Sequence, residues 1–415
     1  MKSGIRSTVI DMQLFSRPDY ERQLLAFRNK QIIKVITGVR RCGKSSLLSL
    51  LRETLLADGV EAERIVSINF EDFDADPLRD PKVLHDYLKS KLVKGKMTYI
   101  LLDEVQLVHD FTRVIDSLFI RENVDLYITG SNANLLSAEI ATMLTGRYVE
   151  IKMLPLSFRE FVLATNSSYS LSSAYRRYLE KSSFPFALQL DTDQAVRAYL
   201  EGVLTTILYK DVVFRCKVND SSVLESLVRF LFDSIGSELS SRKIANTLSS
   251  TRRSADVKTI DKYLSGLVDS QLFYEAKRFD VRGKRLLARF EKYYSVDLAL
   301  RRIVLGRAGT DVGHMLENVI YLELLRRGFD VSVGKYEDFE VDFVARDDNA
   351  VRYFQVAATV RDEATLNREL RSLQAIEDNH PKIVLTLDDD PPLNYDGIWR
   401  VNALEWLMGE NPADI

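Results

Sequence analysis

Residues 38–45 of the chain read Gly-Val-Arg-Arg-Cys-Gly-Lys-Ser, which matches the pattern G-x-x-x-x-G-K-[S/T]. The run follows an apolar stretch, Ile32–Thr37, that has the composition of a buried strand, and the leucine-rich residues after it are typical of a helix. Glycines at the two fixed positions let the backbone curl so that successive N–H groups point at phosphate oxygens. The pattern therefore predicts a phosphate-binding loop between a strand and a helix.

Two side chains of this loop have specific expected roles. Lys44 is expected to reach the β- and γ-phosphates of a nucleoside triphosphate, and the Ser45 hydroxyl is expected to ligate Mg²⁺. The remaining residues of the expected phosphate cradle are Gly38, Arg40, Arg41, Cys42, Gly43 and Ser46. No Asn-Lys-x-Asp segment of the kind that recognises guanine follows in the chain, so ATP is favoured over GTP.

Two acidic residues end a second apolar strand, which reads Tyr-Ile-Leu-Leu-Asp-Glu over residues 99–104. In the context of a phosphate-binding loop, Asp103 is expected near the Mg²⁺ and Glu104 is expected to polarise the attacking water. A third strand ends in Thr-Gly-Ser-Asn over residues 129–132, so Asn132 is a candidate contact for the γ-phosphate or the water. The alternative is that Ser131 or Asn132 caps a helix.

Arg147 stands just before a fifth apolar stretch, Tyr148–Met153. An arginine in this place is a candidate arginine finger that stabilises charge on the transferred phosphoryl group of a neighbouring subunit. That role requires a homo-oligomer, which we expect on this basis. The alternative is a structural arginine paired with an acid.

The order of elements predicts an α/β fold that begins with a parallel sheet covered on both faces by helices. Residues 1–165 are expected to form this P-loop ATPase core, and residues 166–220 a helical lid or linker. Residues 221–304 read as three helices followed by a hairpin (residues 272–279 and 286–294), the order of a winged helix-turn-helix. Residues 305–415 are expected to form a small α/β domain.

Composition excludes several other classes of protein. Apolar residues make up 46% of the 415 residues, and no run of them approaches a membrane span. The two cysteines, Cys42 and Cys216, cannot form a disulfide framework, and the four histidines lack zinc-ligand spacing. We therefore expect a cytoplasmic protein that does not associate with membranes.

The segment from Ser241 to Lys292 is basic, with 13 Lys or Arg against 6 Asp or Glu, although the whole chain carries −3. A basic block centred on a predicted winged helix favours binding of nucleic acid, mainly through backbone phosphates. The candidate DNA-binding residues are Arg252, Arg253, Lys258, Arg278, Arg282, Lys284 and Arg285. The alternatives are a solvated surface, a lid or a subunit contact.

The motifs GVRRCGKSSLL, LLDEVQ, TGSNANLLS and LTGRYVEIKMLPLSFREF together resemble prokaryotic AAA-type ATPases that end in a domain of unknown function. The resemblance continues through LYKDVVFR, TIDKYLSGL, KYYSVD, MLENVIYLELLRRGFDV, EVDFV and DNHPKIVLTLDD, and so covers nearly the whole chain. That family usually has Gly-Gly-Phe-Pro where this chain reads Ser-Ser-Phe-Pro over residues 182–185. The resemblance implies a P-loop ATPase followed by a domain similar to PD-(D/E)xK nucleases.

The nuclease-like signature is incomplete in this chain. Glu317 and Asp342 match acidic positions of such a site, but Gln355 stands in place of the second strand acid and Ala357 in place of the lysine. A neutral amide is a weak Mg²⁺ ligand, and an alanine cannot transfer protons. We therefore predict a degenerate, nuclease-like domain without nuclease activity.

Two functions remain open at this stage. One is an Mg²⁺-dependent ATPase that couples hydrolysis to the processing or remodelling of DNA. The other is a nucleotide-controlled switch whose winged helix and C-terminal domain bind protein partners.

Overall fold

Five parallel strands form the first sheet in the order β2-β3-β4-β1-β5. The computed structural model describes residues 14–130, 144, 146–165, 169–218, 220–250, 256–287, 290–306, 311–348 and 350–410. The strands are β1 (Ile33–Thr37), β2 (Ile65–Asn69), β3 (Thr98–Asp103), β4 (Val124–Thr129) and β5 (Tyr148–Lys152). Strands β1, β3 and β4 are buried along their whole length, as a sheet covered on both faces requires. The predicted parallel α/β sheet is confirmed.

Helices cover both faces of this sheet. They are α1 (Pro18–Ala26), α2 (Lys44–Ala57), α3 (Pro81–Ser90) and α4 (Phe111–Phe119), with 3₁₀ turns at Ala62–Arg64, Phe73–Arg79 and Val105–Leu107. Side chains of β3 alternate between the faces: Tyr99 and Leu101 share a core with the leucines of α2, whereas Ile100 and Leu102 share a core with α3 and α4.

A helical region follows, containing α5 (Phe158–Ala164), α6 (Leu171–Lys181), a 3₁₀ turn (Pro185–Gln189), α7 (Asp193–Thr206), a π-helical segment (Ile207–Val213) and α8 (Phe214–Cys216). Next come α9 (Ser221–Asp233), α10 (Ser241–Ser250), α11 (Val257–Asp269), the antiparallel strands β6 (Phe273–Ala276) and β9 (Lys292–Ser295), and α12 (Leu298–Leu305). The apolar core on the α2 face of the sheet continues without a break into α7, α9 and α11.

The C-terminal part contains an eight-stranded sheet in the order β14-β15-β13-β12-β11-β10-β7-β8. Its elements are β7 (Arg278–Asp280), β8 (Arg285–Leu286), α13 (Val312–Arg326), β10 (Asp330–Tyr336), β11 (Phe339–Arg346), β12 (Val351–Ala357), α14 (Glu363–Gln374), β13 (Lys382–Thr386), β14 (Leu393–Tyr395), β15 (Ile398–Asn402) and α15 (Ala403–Met408). Helix α13 is buried over most of its length and packs on β10, β11 and β12.

The hairpin at residues 272–294 differs from the sequence prediction. The two strands at its base, β6 and β9, pair with each other as expected. Its outer strands, β7 and β8, instead form the edge of the C-terminal sheet, where β7 runs parallel to β10. Pairing with β10 satisfies backbone groups of β7 that a free hairpin arm would leave to water. One hairpin within residues 221–304 therefore contributes strands to two sheets.

The turn at Ser182 shows how the chain accommodates its departure from Gly-Gly-Phe-Pro. Ser182 has φ 105° and ψ 150°, a backbone conformation that residues with a side chain rarely adopt. The Asp297 carboxylate accepts hydrogen bonds from the Ser182 hydroxyl at 3.0 Å and from the Ser183 backbone N–H and hydroxyl, both at 2.6 Å. These bonds hold the strained turn against the start of α12.

Within the ranges that the structure describes, no helix has both the length and the apolar character needed to cross a lipid bilayer.

Candidate functional site

The predicted phosphate-binding loop connects β1 to α2, and two glycines define its path. A side chain on Gly38 would meet the Met153 carbonyl oxygen at 2.4 Å, so the neighbouring chain segment leaves no room for one. Gly43 has φ 107°, a left-handed conformation suited to glycine, immediately before α2 begins at Lys44. The backbone N–H groups at the start of α2 are those that can bind an anion.

The ammonium group of Lys44 lies inside the loop. It donates hydrogen bonds to the carbonyl oxygens of Gly38 at 2.9 Å and Val39 at 3.3 Å. The buried Arg17 supports the loop from outside, donating to the Cys42 carbonyl at 3.2 Å while its Nε binds the Glu160 carboxylate at 2.8 Å. Arg17 was not identified from sequence, since no motif marks an isolated arginine before the first strand.

Asp103 lies at the end of β3, beside the loop. Its carboxylate accepts a hydrogen bond from the hydroxyl of Thr129, at the end of the adjacent strand β4, and the Ser45 hydroxyl lies nearby. Burial raises the pKa of Asp103, while the Ser45 and Thr129 hydroxyls and the Lys44 charge act in the opposite direction. The structure thus brings together the two residues that were predicted to hold Mg²⁺, Ser45 and Asp103.

Glu104 follows with φ 54°, a left-handed conformation that turns the chain sharply after β3. Its backbone N–H donates to the Thr129 hydroxyl at 3.1 Å, and its carboxylate accepts a hydrogen bond from the Gln106 side-chain amide. Glu104 is 9% exposed. The Glu104 carboxylate therefore lies mostly buried at the carboxyl edge of the sheet, next to Asp103, and its action on water stays a prediction.

An ion pair joins the phosphate-binding loop to the helical region. Asp211, in the π-helical segment, accepts from Arg40 Nε at 2.9 and 2.8 Å through its two carboxylate oxygens. Burial raises the pKa of Asp211; the Arg40 and Lys44 charges oppose this rise and the Glu104 charge adds to it. Asp211 is therefore part of the site, although no role was expected for it from the sequence. π-Helical turns occur frequently at functional sites.

Arg147 is not brought to the loop. It precedes β5 at the amino-terminal edge of the parallel sheet, the opposite edge from the phosphate-binding loop, and its Nη1 lies 2.7 Å from Asp116 Oδ1. This ion pair corresponds to the alternative role, a structural arginine paired with an acid. A role of Arg147 toward a neighbouring subunit stays a prediction. Asn132 and Ser131 lie outside the described residues.

The candidate DNA-binding residues that the structure describes do not form one free basic surface. Arg278 is largely buried and pairs with Glu238 at 2.7 Å, whereas Lys258, at the start of α11, is exposed. Three more lie at the β7–β8 turn on the edge of the C-terminal sheet: Arg282, Lys284 and Arg285. Arg282 pairs with Glu337 at 2.6 Å but remains 72% exposed. Arg252 and Arg253 lie outside the described residues.

The residues of the degenerate nuclease-like site do come together. Gln355 Oε1 accepts from the Asp342 backbone N–H at 2.7 Å, and the Val356 N–H donates to Asp342 Oδ2 at 2.8 Å. Glu317 on α13 faces the same centre, where Lys292 lies between the acids. Ala357, at the end of β12, packs in an apolar core. Burial and the nearby Glu317 charge raise the pKa of Asp342.

Residues 30–162 of the chain match the family described as an AAA domain, and residues 172–311 match a domain of unknown function, DUF8612. The AAA match spans the parallel sheet and every described residue of the phosphate-binding loop and the acidic strand end. Fold and loop geometry together define residues 30–162 as an AAA-type P-loop domain.

Full-length relatives place the chain within a family. An uncharacterized protein of Haemophilus influenzae is 39% identical over 399 residues, which cover 95% of this chain and 99% of that protein. An uncharacterized protein of Methanocaldococcus jannaschii is 28% identical over 366 residues, covering 83% of this chain and 79% of that protein. The chain belongs to the same family as the Haemophilus protein.

Among solved structures, the Walker-type ATPase PABY2304 of Pyrococcus abyssi is 14% identical, with a TM-score of 0.48 over 70% of this chain and 95% of that one. Cdc6p from Pyrobaculum aerophilum is 13% identical, with a TM-score of 0.30 over 71% of this chain and 95% of that one. These are distant likenesses, and the class of the protein rests on the AAA-domain match and the geometry of the loop.

Proposed function

We propose that the chain hydrolyses ATP in an Mg²⁺-dependent reaction at the edge of the first sheet. The observation that carries the proposal is the Asp103 carboxylate, which Thr129 holds at the end of β3 close to the Ser45 hydroxyl and the Lys44 ammonium. Two oxygen donors placed together next to an ammonium group fit a magnesium-bound triphosphate. Guanine recognition has no support in the sequence, so ATP is the proposed nucleotide.

Each residue of the site has a distinct role in this proposal. The Lys44 ammonium, now hydrogen-bonded to two loop carbonyls, exchanges these acceptors for phosphate oxygens. Ser45 and Asp103 hold Mg²⁺, which neutralises phosphate charge when bound. Glu104 accepts a proton from the attacking water, and Thr129 holds Asp103 and the Glu104 backbone in place.

DNA is the proposed partner of the ATPase. The order helix, helix, helix and β6–β9 hairpin in residues 221–295, with Leu239 bridged to Glu291 beside the hairpin, supports a winged helix. Lys258, Lys284 and Arg285 are exposed near it, and Arg282 remains accessible despite its ion pair. Side chains of this kind bind phosphates with little sequence preference and with strong dependence on salt. Assembly of the chain into a homo-oligomer is part of the same proposal.

The C-terminal domain is proposed to be nuclease-like without cutting DNA. Gln355 has both ends of its amide engaged, one by the Asp342 backbone and the other by Glu369 Oε2 at 2.8 Å. Ala357 supplies no group for proton transfer. Purified protein should leave plasmid and branched DNA intact with Mg²⁺ or Mn²⁺; cleavage that Asp342→Ala abolishes would contradict this.

The Arg40–Asp211 ion pair favours a second candidate function, a nucleotide-controlled switch. A triphosphate bound in the loop offers Arg40 a competing anion, so that nucleotide occupancy can release Asp211 and the helical region that carries it. A switch predicts tight nucleotide binding, slow turnover and no stimulation by DNA. Partner or oligomer contacts would then depend on ATP.

The experiment that separates the two functions is the ATPase rate with and without single-stranded, duplex and branched DNA. The DNA-coupled ATPase predicts stimulation in the wild type and loss of activity in Lys44→Ala. The triple variant R282E/K284E/R285E should lose both DNA affinity and stimulation but keep its basal rate. A matched charge reversal of three exposed lysines on another face, K89E/K91E/K94E, should change neither DNA affinity nor the stimulation by DNA. Equal DNA affinity in the two triple variants would favour the switch.

A further inference from the structure

A buried lysine occupies the centre of the acidic cluster in the C-terminal domain. Lys292, the first residue of β9, is 4% exposed. Its Nζ lies 2.9 Å from Glu317 Oε1, 2.9 Å from Glu340 Oε1 and 4.0 Å from Asp342 Oδ1. The Tyr294 hydroxyl, two residues along the same strand, donates to the same Glu317 oxygen at 2.6 Å.

The remaining polar groups of the cluster are hydrogen-bonded to each other. Asp342 Oδ2 accepts from the Val356 N–H, and the Gln355 amide bridges the Asp342 backbone and the buried Glu369 carboxylate. Glu369 also binds Arg368 at 2.8 Å. The cluster is therefore a closed network in which every acid already has a cationic or N–H partner.

This arrangement does not fit the divalent metal that a nuclease-like fold implies. Mg²⁺ requires near-octahedral oxygen ligands at about 2.1 Å, whereas here the Lys292 ammonium lies 2.9 Å from both the Glu317 and the Glu340 carboxylates. In the part of the chain that the structure describes, no three His, Cys, Asp or Glu side chains are arranged to hold a metal ion.

We infer that the Lys292 ammonium is the permanent cation of this cluster, and that the acids act as an anchor joining the β6–β9 hairpin to the C-terminal domain. Lys292 belongs to the hairpin, whereas Glu317, Glu340 and Asp342 belong to α13 and β11. The ion pairs thus join two parts of the chain far apart in sequence. Removing one partner of a buried ion pair is strongly destabilising because it leaves the other charges uncompensated.

The inference concerns neither ATP hydrolysis nor DNA binding, so it stands or fails separately from the proposed function. It gives Glu317 and Asp342 a structural role beside Gln355 and Ala357, which are unsuited to catalysis. It also gives a physical reason for β7 and β8 to lie in the C-terminal sheet, since the hairpin that carries them is held at its base.

The first test is Mn²⁺ binding to the nucleotide-free full-length protein, measured by the loss of the free-ion electron paramagnetic resonance signal. We expect no Mn²⁺ retained at this cluster. An ion that is lost in D103N but kept in D342N belongs to the nucleotide site and agrees with the inference. About one ion per chain that D342N or E317Q removes would overturn it.

The second test is thermal unfolding of variants. K292M should lower the melting temperature by several degrees, whereas K258M, which removes an exposed lysine, should have little effect. The double variant K292M/E317Q should recover part of the loss, because it removes one of the uncompensated carboxylates. A K292M protein as stable as K258M, or a double variant that loses the sum of both single effects, would overturn the inference. If K292M does not fold, the Mn²⁺ measurement on the wild type still decides.

Discussion

The hydroxyl of Thr129, at the end of β4, donates a hydrogen bond to the carboxylate of Asp103 at the end of the neighbouring strand β3. The same oxygen accepts the Glu104 backbone N–H at 3.1 Å. One side chain therefore fixes both acids of the proposed catalytic pair. The sequence pattern indicates the residues just after Thr129 as site residues. The structure adds Thr129 itself, because adjacent parallel strands place their last residues side by side.

Thr129→Val tests this link, because valine keeps the shape and removes the hydroxyl. A hydrogen bond to a charged group contributes about 1.5–3 kcal/mol, so we expect the ATPase rate to fall roughly ten- to a hundredfold. Thr129→Ser, which keeps the hydroxyl, should stay within a few-fold of the wild type. Equal rates in the valine and serine variants would show that the hydroxyl has no part in catalysis.

Asp211 gives a prediction about pH. Burial raises its pKa above the ordinary 3.8, so the folded chain holds this proton more tightly than the unfolded chain does. The contribution of Asp211 to stability is therefore fully present below the ordinary pKa and is lost as the pH rises through the raised value. The melting temperature of nucleotide-free wild type minus that of Asp211→Asn should therefore fall as the pH rises above about 4.

The exposed Asp191→Asn controls for the general loss of a carboxylate. The difference in melting temperature between wild type and Asp191→Asn should change less over the same rise in pH. A wild-type advantage over Asp211→Asn that grows with pH would mean that the Arg40 ion pair outweighs burial.

Ser182 gives a prediction about backbone strain. Glycine at this position relieves a conformation that costs on the order of 1–3 kcal/mol with a side chain, but it loses the hydroxyl bond to Asp297. Ser182→Ala loses the same bond and keeps the strain. Chemical denaturation should therefore find Ser182→Gly more stable than Ser182→Ala by about 1–3 kcal/mol. The reverse order would show that the turn is not strained.

DNA binding through the β7–β8 turn has a quantitative signature in salt. Each phosphate contact contributes about −0.9 to the slope of log affinity against log salt concentration for duplex DNA. Neutralising Arg282, Lys284 and Arg285 to glutamine should make the slope less steep by up to about 2.7 units. An unchanged slope would exclude the turn from the DNA contact.

Much of the parallel sheet and its phosphate-binding site could be predicted from the sequence, because the patterns that indicate them are local. The apolar strands, the loop at residues 38–45 and the acids at the end of β3 are each contained in a few consecutive residues. The parallel sheet then determines that these pieces meet, since the carboxyl ends of its strands share one edge.

The features that the sequence did not predict depend on pairing between distant segments. Asp211 forms its ion pair with Arg40 from a π-helical segment, a conformation that the sequence pattern does not predict. Strand β7 joins β10 because the hairpin bends between its base and its tip, and alternation along a strand does not identify its partner. In the sequence, Lys292 belongs to a basic block that favours binding of nucleic acid. In the structure, its partners are acids on α13 and β11.

The central claim, that a loop lysine and two strand-end acids hydrolyse ATP, is tested most directly by ATP binding and turnover in wild type, Lys44→Ala and Glu104→Gln. We predict that the wild type hydrolyses ATP and that Glu104→Gln binds ATP but turns over about 10²–10⁴-fold more slowly, the usual loss on removing a general base. Lys44→Ala should fail to retain the nucleotide. Wild-type protein that neither binds nor hydrolyses ATP, or a Glu104→Gln variant with an unchanged rate, would contradict the account.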